Sequence, residues 1–269
     1  MARQHHGAAA WERVERQVDG AGTGRRFGIS ARLVGTSRSW RLGADDPFPA
    51  ASTIKLPILV ALYQEAAAGH LDLAAEHQIP ATARVGGSGV LAELSPGLRL
   101  SLADLAYLTI AVSDNTASNA LLDLLGMARV RWTMAELRMT KSELGRRFLG
   151  RLPEPGEGDN VTTAADLVTL LAAVAEGGAA DAESCAAIRR TLELQQHREM
   201  LARRLPTGLR FGGKSGWLPG LAHDAGLIEG PRGTLAVAVM TSGFADPYDA
   251  HEAVWGISEA LIEASGIAG

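Results

Sequence analysis

Ser52 and Lys55 are the first residues in this chain whose types and spacing suit chemistry. They lie in Ala51-Ser52-Thr53-Ile54-Lys55-Leu56-Pro57-Ile58, after which Leu59, Leu62 and Tyr63 continue an apolar series at roughly helical spacing. The stretch reads as a loop that becomes a helix with a hydroxyl at its mouth. Three residues is about one helical turn, so the amine and the hydroxyl share a face. A serine hydroxyl is a weak nucleophile at neutral pH. An adjacent amine base and the free N–H groups at the positive end of a helix supply what it lacks. Taken alone, the pair also suits a helix cap followed by a solvated cation. The lysine count favours chemistry: Lys55, Lys141 and Lys214 are the only lysines, and the other permanent cations are arginines. A compact amine can lose its proton where a guanidinium cannot.

Two further groups stand downstream. Ser113-Asp114-Asn115 falls in a short break between two helical patterns, where it suits either helix capping or a hydroxyl and an amide aimed out of a helical layer. Lys214-Ser215-Gly216 closes a strand-like segment starting at Arg210. A lysine and a hydroxyl on a strand edge suit a carboxylate, and a glycine admits close backbone approach.

Serine-x-x-lysine, Ser-Asp-Asn and Lys-Ser-Gly occur here in that order, and in this the chain resembles the class A β-lactamase and penicillin-binding serine hydrolase superfamily. Serine replaces the usual threonine of the third motif and keeps the hydroxyl. Gly87-Ser88-Gly89-Val90-Leu91 is also similar to a segment of class A-like relatives. The resemblance implies that Ser52 is acylated, with Lys55 as its base or proton relay. It implies that Ser113 carries the proton to the leaving nitrogen and that Asn115 holds Lys55 and the substrate amide. Lys214 and Ser215 would bind the substrate carboxylate, and the backbone N–H groups of Ser52 and Trp217 would form an oxyanion hole. Trp217 would also add bulk at the edge of the site.

The pattern departs from class A in one place. There, a loop glutamate holds the water that hydrolyses the acyl-enzyme, with an asparagine four residues on. The corresponding stretch here, Arg151 to Thr163, is short. Glu154 is the best candidate, but Gly158 stands four residues on, and Glu157 is followed at that distance by Val161. Three functions remain open: a β-lactamase, a related esterase, amidase or peptidase of small-molecule metabolism, and a penicillin-binding sensor that stays acylated.

The elements around these residues read in order. A helix is expected over 8–18, a strand from Phe27 to Val34 with Phe27, Ile29, Ala31 and Leu33 on one face, and a hairpin return over Ser39–Leu42. Helices follow: one from Ser52 to near Gly69, then Leu102–Val112 capped by Ser101, Thr116–Leu125 and Ala128–Leu137. After a loop at Gly145–Asn160 come Ala164–Ala175 capped by Thr163, Asp181–Gln196 and Glu199–Leu205. The period then returns to strands at Arg210–Ser215, Ala222–Glu229 and Thr234–Thr241, closed by a helix over Pro247–Ala264. The expected architecture is α/β (α+β), of the β-lactamase/DD-peptidase type. An antiparallel sheet joins the N-terminal hairpin to the C-terminal strands, flanked by the terminal helices (1–45 plus 206–269). An all-helical domain, 46–205, is inserted between, with the site at the interface.

At 269 residues with a net charge of −4, the composition suits a large globular core and a small-molecule substrate rather than nucleic acid. The lone Cys185 excludes an internal disulfide and reads as a core residue of its helix. The histidines are scattered, with His5 and His6 in an N-terminus expected to fray, so no metal or other cofactor is expected. His223 and Asp224 are adjacent on a strand, point to opposite faces, and read as structural. Charges throughout the first 19 residues leave no signal-peptide core, and no apolar run reaches the length of a membrane span. These features predict a cytoplasmic monomer.

Overall fold

The computed structural model describes residues 2–269. In chain order the elements are α1 (Ala2–Gly20), β1 (Arg26–Leu33), β2 (Ser39–Leu42), β3 (Phe48–Pro49), a 3-10 turn (Ala51–Ile54), α2 (Lys55–Ala67), β4 (Glu76–Gln78) and β5 (Arg99–Ser101). Then come α3 (Leu102–Ala111), α4 (Asn115–Leu125), α5 (Met127–Glu136), β6 (Val161–Thr162), α6 (Ala164–Ala175), α7 (Ala182–Glu193), β7 (Arg210–Leu218), β8 (Leu221–Gly230), β9 (Gly233–Ser242) and α8 (Pro247–Ser265).

The five-stranded sheet has the order β2-β1-β9-β8-β7 and is antiparallel throughout. The N-terminal hairpin joins the C-terminal strands as the alternation implies, with Ile29 opposite Val239 and Ala31 opposite Val237. One sheet face, carrying Ile29, Leu235 and Val239, packs with Val14 of α1 and with Val254, Ile257 and Leu261 of α8. The other, carrying Ala225, Leu227, Ala236, Ala238 and Met240, joins the apolar cluster of the central helices. β1 is therefore buried on both faces rather than one. Gly28 and Ser30 occupy its second face, and a side chain at 28 would strike the Phe48 ring.

At the centre of the helices runs α2, in which every residue from Lys55 to Tyr63 is buried. A helix apolar all round has no solvent face to offer and takes an interior position. Local capping sets its neighbours. The Ser101 hydroxyl and the Asp104 carboxylate bond each other's backbone N–H in a capping box that starts α3. Thr163, Asp181 and Asp246 cap α6, α7 and α8 with the side chain alone, each accepting one backbone N–H of the first turn. Cys185 is buried in α7.

Several expectations are corrected. Glu199–Leu205 forms turns, not a helix. Seven residues nucleate a helix poorly, and the Leu201 N–H is instead given to the Asp224 carboxylate at 3.1 Å. α1 starts earlier than expected, at Ala2, while the side chains of His5 and His6 lie outside the described residues. The short pairs β3–β6 and β4–β5 carry no alternation long enough to read in sequence. β7 continues to Leu218, which puts Lys214-Ser215-Gly216 inside an edge strand rather than at its end.

Replacing Ser101 by Ala removes one half of the capping box, and we expect a loss of about 1 kcal/mol. Urea denaturation reads this as a lower midpoint with an unchanged slope. An unchanged midpoint would mean that α3 is held by packing alone.

Candidate active site

Ser52 does not cap α2. It lies in the 3-10 turn before the helix, and neither end of that turn has a side-chain cap. The preceding Ala51 takes a left-handed backbone, φ +46°, which costs a residue with a Cβ on the order of 1 kcal/mol. Two long-range bonds hold this entry: Ala50 N–H donates to the Asn160 carbonyl at 2.7 Å, and His223 Nε2 donates to the Pro49 carbonyl at 2.9 Å. Thr241 N–H donates to Nδ1 of the same ring, so the imidazole is neutral, and burial pushes it down to about 4. This buried His223 ties β8 to the loop that leads into Ser52.

Lys55 points inward from the first turn of α2 and is fully buried. Its Nζ donates to the Ser113 carbonyl at 2.6 Å and to Asn115 Oδ1 at 2.8 Å, and lies 3.1 Å from Ser113 Oγ, whose hydroxyl donates to the lone pair of the neutral amine. The Phe148 ring lies 4.6 Å from the amine and closes it off from water. Burial, and then the Lys214 charge, push the amine well below the ordinary lysine value, while Asp114 pulls the other way.

The Ser113-Asp114-Asn115 break is held by its middle residue. Asp114 caps α4 through Ala117 N–H and accepts Val90 and Leu91 N–H at 2.6 and 2.8 Å. Asn115 N–H donates to the Ser88 carbonyl and its Nδ2 to the Gly86 carbonyl, both at 3.0 Å. The Gly87-Ser88-Gly89 segment is thus a cradle for the motif. A side chain at Gly87 or Gly89 would collide with Asn115 or Asp114. Ser113 itself is left-handed, φ +57°, which turns its carbonyl and hydroxyl together toward Lys55.

The third part arrives on β7. Gly216 lies flat against the 3-10 turn, and a Cβ there would sit 2.6 Å from the Ser52 nitrogen. Lys214 is fully buried, and burial lowers it to about 7 against an upward pull from Asp224. Its Nζ donates to the Ser215 carbonyl at 2.7 Å. Alternation puts Ser215 on the opposite strand face, across from Asp224. The Ser215 N–H donates to Gln195 Oε1, and its buried hydroxyl has no partner among the described residues.

Ser52, Asn115 and Trp217 line one cavity of about 330 Å³, together with Phe148, Leu149 and Leu152. The structure therefore brings together Ser52, Lys55, Ser113, Asn115, Lys214, Gly216 and Trp217. It does not bring Glu154, which is absent from the cavity lining. Its side chain is 72% exposed and lies 3.6 Å from Arg151. Glu157 also bonds Arg151 and is held down to about 2. Asp159 does reach the cavity, but pairs with Arg146 at 3.0 Å. Sequence reasoning missed Phe148, because nothing in its spacing links it to Lys55. It also missed His197, whose ring packs edge-on against Trp217 at 4.7 Å. Among the described residues no group of three or more metal-ligating side chains converges, and no helix is long and apolar enough to cross a membrane.

A model of the β-lactamase enzyme family matches residues 9–264, and the chain belongs to that family. A β-lactamase from Sphaerobacter thermophilus is 38% identical, with 96% of this chain and 99% of that one aligned at a TM-score of 0.92. The penicillin-binding protein PBP-A is 25% identical over 95% of both chains, with a TM-score of 0.85. Among curated proteins, the β-lactamase regulatory protein BlaB of Streptomyces cacaoi is 30% identical over 102 residues, which is 38% of this chain and 33% of that protein. This chain thus matches about a third of that relative's length.

Burial raises Asp224 to about 7, opposed by the Leu201 N–H and by Lys214. The unfolded carboxyl titrates near ~4, so between the two values the folded state keeps a proton that the unfolded state releases. Stability falls as pH rises through that window. Relative to Asp224→Asn, the wild-type unfolding free energy should decline from pH 4 to 7 and then level off. A flat difference across that range would refute the assignment.

Proposed function

We propose that the chain is a serine hydrolase that opens β-lactam amides through an acyl-enzyme on Ser52. The observation that carries this reading is the buried Lys55 amine, three residues after Ser52, which is bonded to Ser113 and Asn115 and held toward its neutral form. A neutral amine takes the Ser52 proton as Oγ attacks the carbonyl. The Ser52 and Trp217 N–H groups receive the developing oxyanion. Ser113 Oγ, within 3.1 Å of Lys55, passes the proton to the departing nitrogen. Lys214 draws the substrate carboxylate and Asn115 holds the amide, while Ser215, turned to the other face of β7 with its backbone N–H on Gln195, takes no part. The family and the fold of its solved relatives support this reading, and a PBP-A variant has been solved as an acyl-enzyme with penicillin G.

The second half of the reaction is slow. The carboxylates near the cavity are ion-paired, and Glu154 faces solvent, so hydrolysis of the acyl-enzyme falls to Lys55. The same observation favours a second reading, a penicillin sensor that stays acylated. An ester in place of the lactam would acylate by the same route.

Intact-protein mass spectrometry with a penicillin tests the proposal. We expect a one-to-one adduct on the wild type that outlasts the free drug, and none on Ser52→Ala. Lys55→Ala should slow adduct formation by about 10²–10⁴-fold. An adduct on Ser52→Ala, or none on the wild type, would end the Ser52 reading. Rapid loss of the adduct with drug turnover would end the slow-hydrolysis reading.

The pH profile gives a second check. Lys214 holds an anion only when protonated, so acylation by an anionic penicillin should fall as pH rises past about 7. Lys214→Arg should remove that limb, because arginine keeps its charge. Identical profiles for the two proteins would exclude Lys214 as the anion's partner.

A further inference from the structure

Phe148 touches both the buried amine and the cavity of Ser52. Its ring centroid lies 4.6 Å from Lys55 Nζ, and the same residue lines the cavity. We propose that this ring is a shield over Lys55. It stabilises the ammonium that forms while Ser52 gives up its proton, and it keeps water off the amine once the acyl group is in place. The assignment rests on the Ser52 reading and gives the long-lived acyl-enzyme its cause.

The ring is held there through its backbone. Asn119 of α4, itself buried, clamps residue 148 on both sides. Phe148 N–H donates to Asn119 Oδ1 at 3.0 Å, and Asn119 Nδ2 donates to the Phe148 carbonyl at 2.8 Å. Two residues on, Gly150 takes a left-handed backbone, φ +68°, and a Cβ there would sit 2.6 Å from the Gly86 carbonyl oxygen. The loop is thus fastened at and just after Phe148. With that backbone fixed, two side-chain torsions place the ring. The ring is buried and asks for no polar partner.

The contacts of the amine define what the ring does. A neutral amine has two hydrogens and one lone pair. The hydrogens go to the Ser113 carbonyl and to Asn115 Oδ1, and the lone pair receives the Ser113 hydroxyl. As the bond from Ser52 Oγ to the acyl carbon forms, the serine proton passes to Nζ. The new ammonium is surrounded by three oxygens without formal charge. The negative face of an aromatic ring within ~6 Å attracts such a charge, most of all where water is excluded. The carbon–nitrogen bond of the lactam then breaks, Ser113 hands the departing nitrogen a proton, and the proton on Nζ replaces it. Lys55 is neutral again and is able to serve as a base. Hydrolysis now needs a water within hydrogen-bond reach of that base and ~3 Å from the acyl carbon. The Phe148 ring fills that place and offers neither a donor nor an acceptor.

Two measurements test this, and the first does not depend on acylation. The chain has three lysines, Lys55, Lys141 and Lys214, so reductive methylation with formaldehyde and a borane, followed by peptide mass spectrometry, reads each one. Lys141 is half exposed and sets the scale, while Lys214 is buried and reports on the fold. Lys55 should label at least tenfold faster in Phe148→Ala than in the wild type, and stay near the wild-type rate in Phe148→Leu, which keeps the bulk. Lys214 should stay unlabelled in all three. The second measurement follows the penicillin adduct by intact mass. Phe148→Ala should shorten its lifetime at least tenfold, and Phe148→Leu should preserve it. Leucine lacks the ring face, so acylation of Phe148→Leu at saturating penicillin should slow by about fivefold.

Labelling of Lys55 or an adduct lifetime that ignores Phe148→Ala overturns the shield. Equal shortening in both variants, or Lys214 labelling alongside Lys55, assigns the effect to loop or fold opening and overturns it as well. Unchanged acylation in Phe148→Leu overturns the ring's hold on the ammonium. No adduct on the wild type, with Lys55 still uncovered in Phe148→Ala, overturns the Ser52 reading and reduces the ring to packing.

Discussion

Two amines, Lys55 and Lys214, are buried close enough to repel, and neither has a carboxylate in direct contact. Desolvating an isolated ammonium costs several kcal/mol, so the interior favours the neutral form of at least one of them. The rest of the site is arranged to keep Lys55 the neutral one. Its three bonds go to oxygens without formal charge, two from Ser113 and one from Asn115. The nearest anion, Asp114, already has its oxygens committed to backbone N–H groups at residues 90, 91 and 117. It steadies the loop without claiming the amine.

That electrostatic demand explains local geometry that would otherwise be a cost. Ala51 and Ser113 both take left-handed backbones; the first precedes Ser52 and the second faces the Lys55 amine. The glycines at 87, 89 and 216 sit where backbone or side-chain atoms of the site leave no room for a Cβ. The sheet provides the rigid side: β7 meets the 3-10 turn through Gly216, and β8 grips the approach to it through His223.

Much of this is legible in the chain because the signals are local. Alternation in β1 and β9, the Ser101, Thr163 and Asp181 caps, and the three motifs each need only a few consecutive residues. What is not legible depends on distant partners. Lys214-Ser215-Gly216 reads as the close of a strand because β7's extension to Leu218 depends on pairing with β8. Glu154 suits a catalytic carboxylate by type and position, yet Arg151 and the short loop hold it at the surface. The run 199–205 carries good helix formers, but its backbone is taken by Asp224. Phe148 and His197 reach the site from segments with no motif at all.

The pairing of β1 with β9 also has a temporal side. Arg26 lies opposite Ser242, so the strand made among the first must wait for one made among the last. Contacts so distant in sequence close slowly, because the loop entropy is spent before the reward arrives. During synthesis Ser52 and Lys55 emerge well before Lys214 and Gly216, so a nascent chain carries one buried amine of the pair without the other and without the strand that packs on the Ser52 turn. The cleft around Ser52 is therefore completed late, by the docking of one edge strand, however early the helices that carry Ser52 and Lys55 have formed.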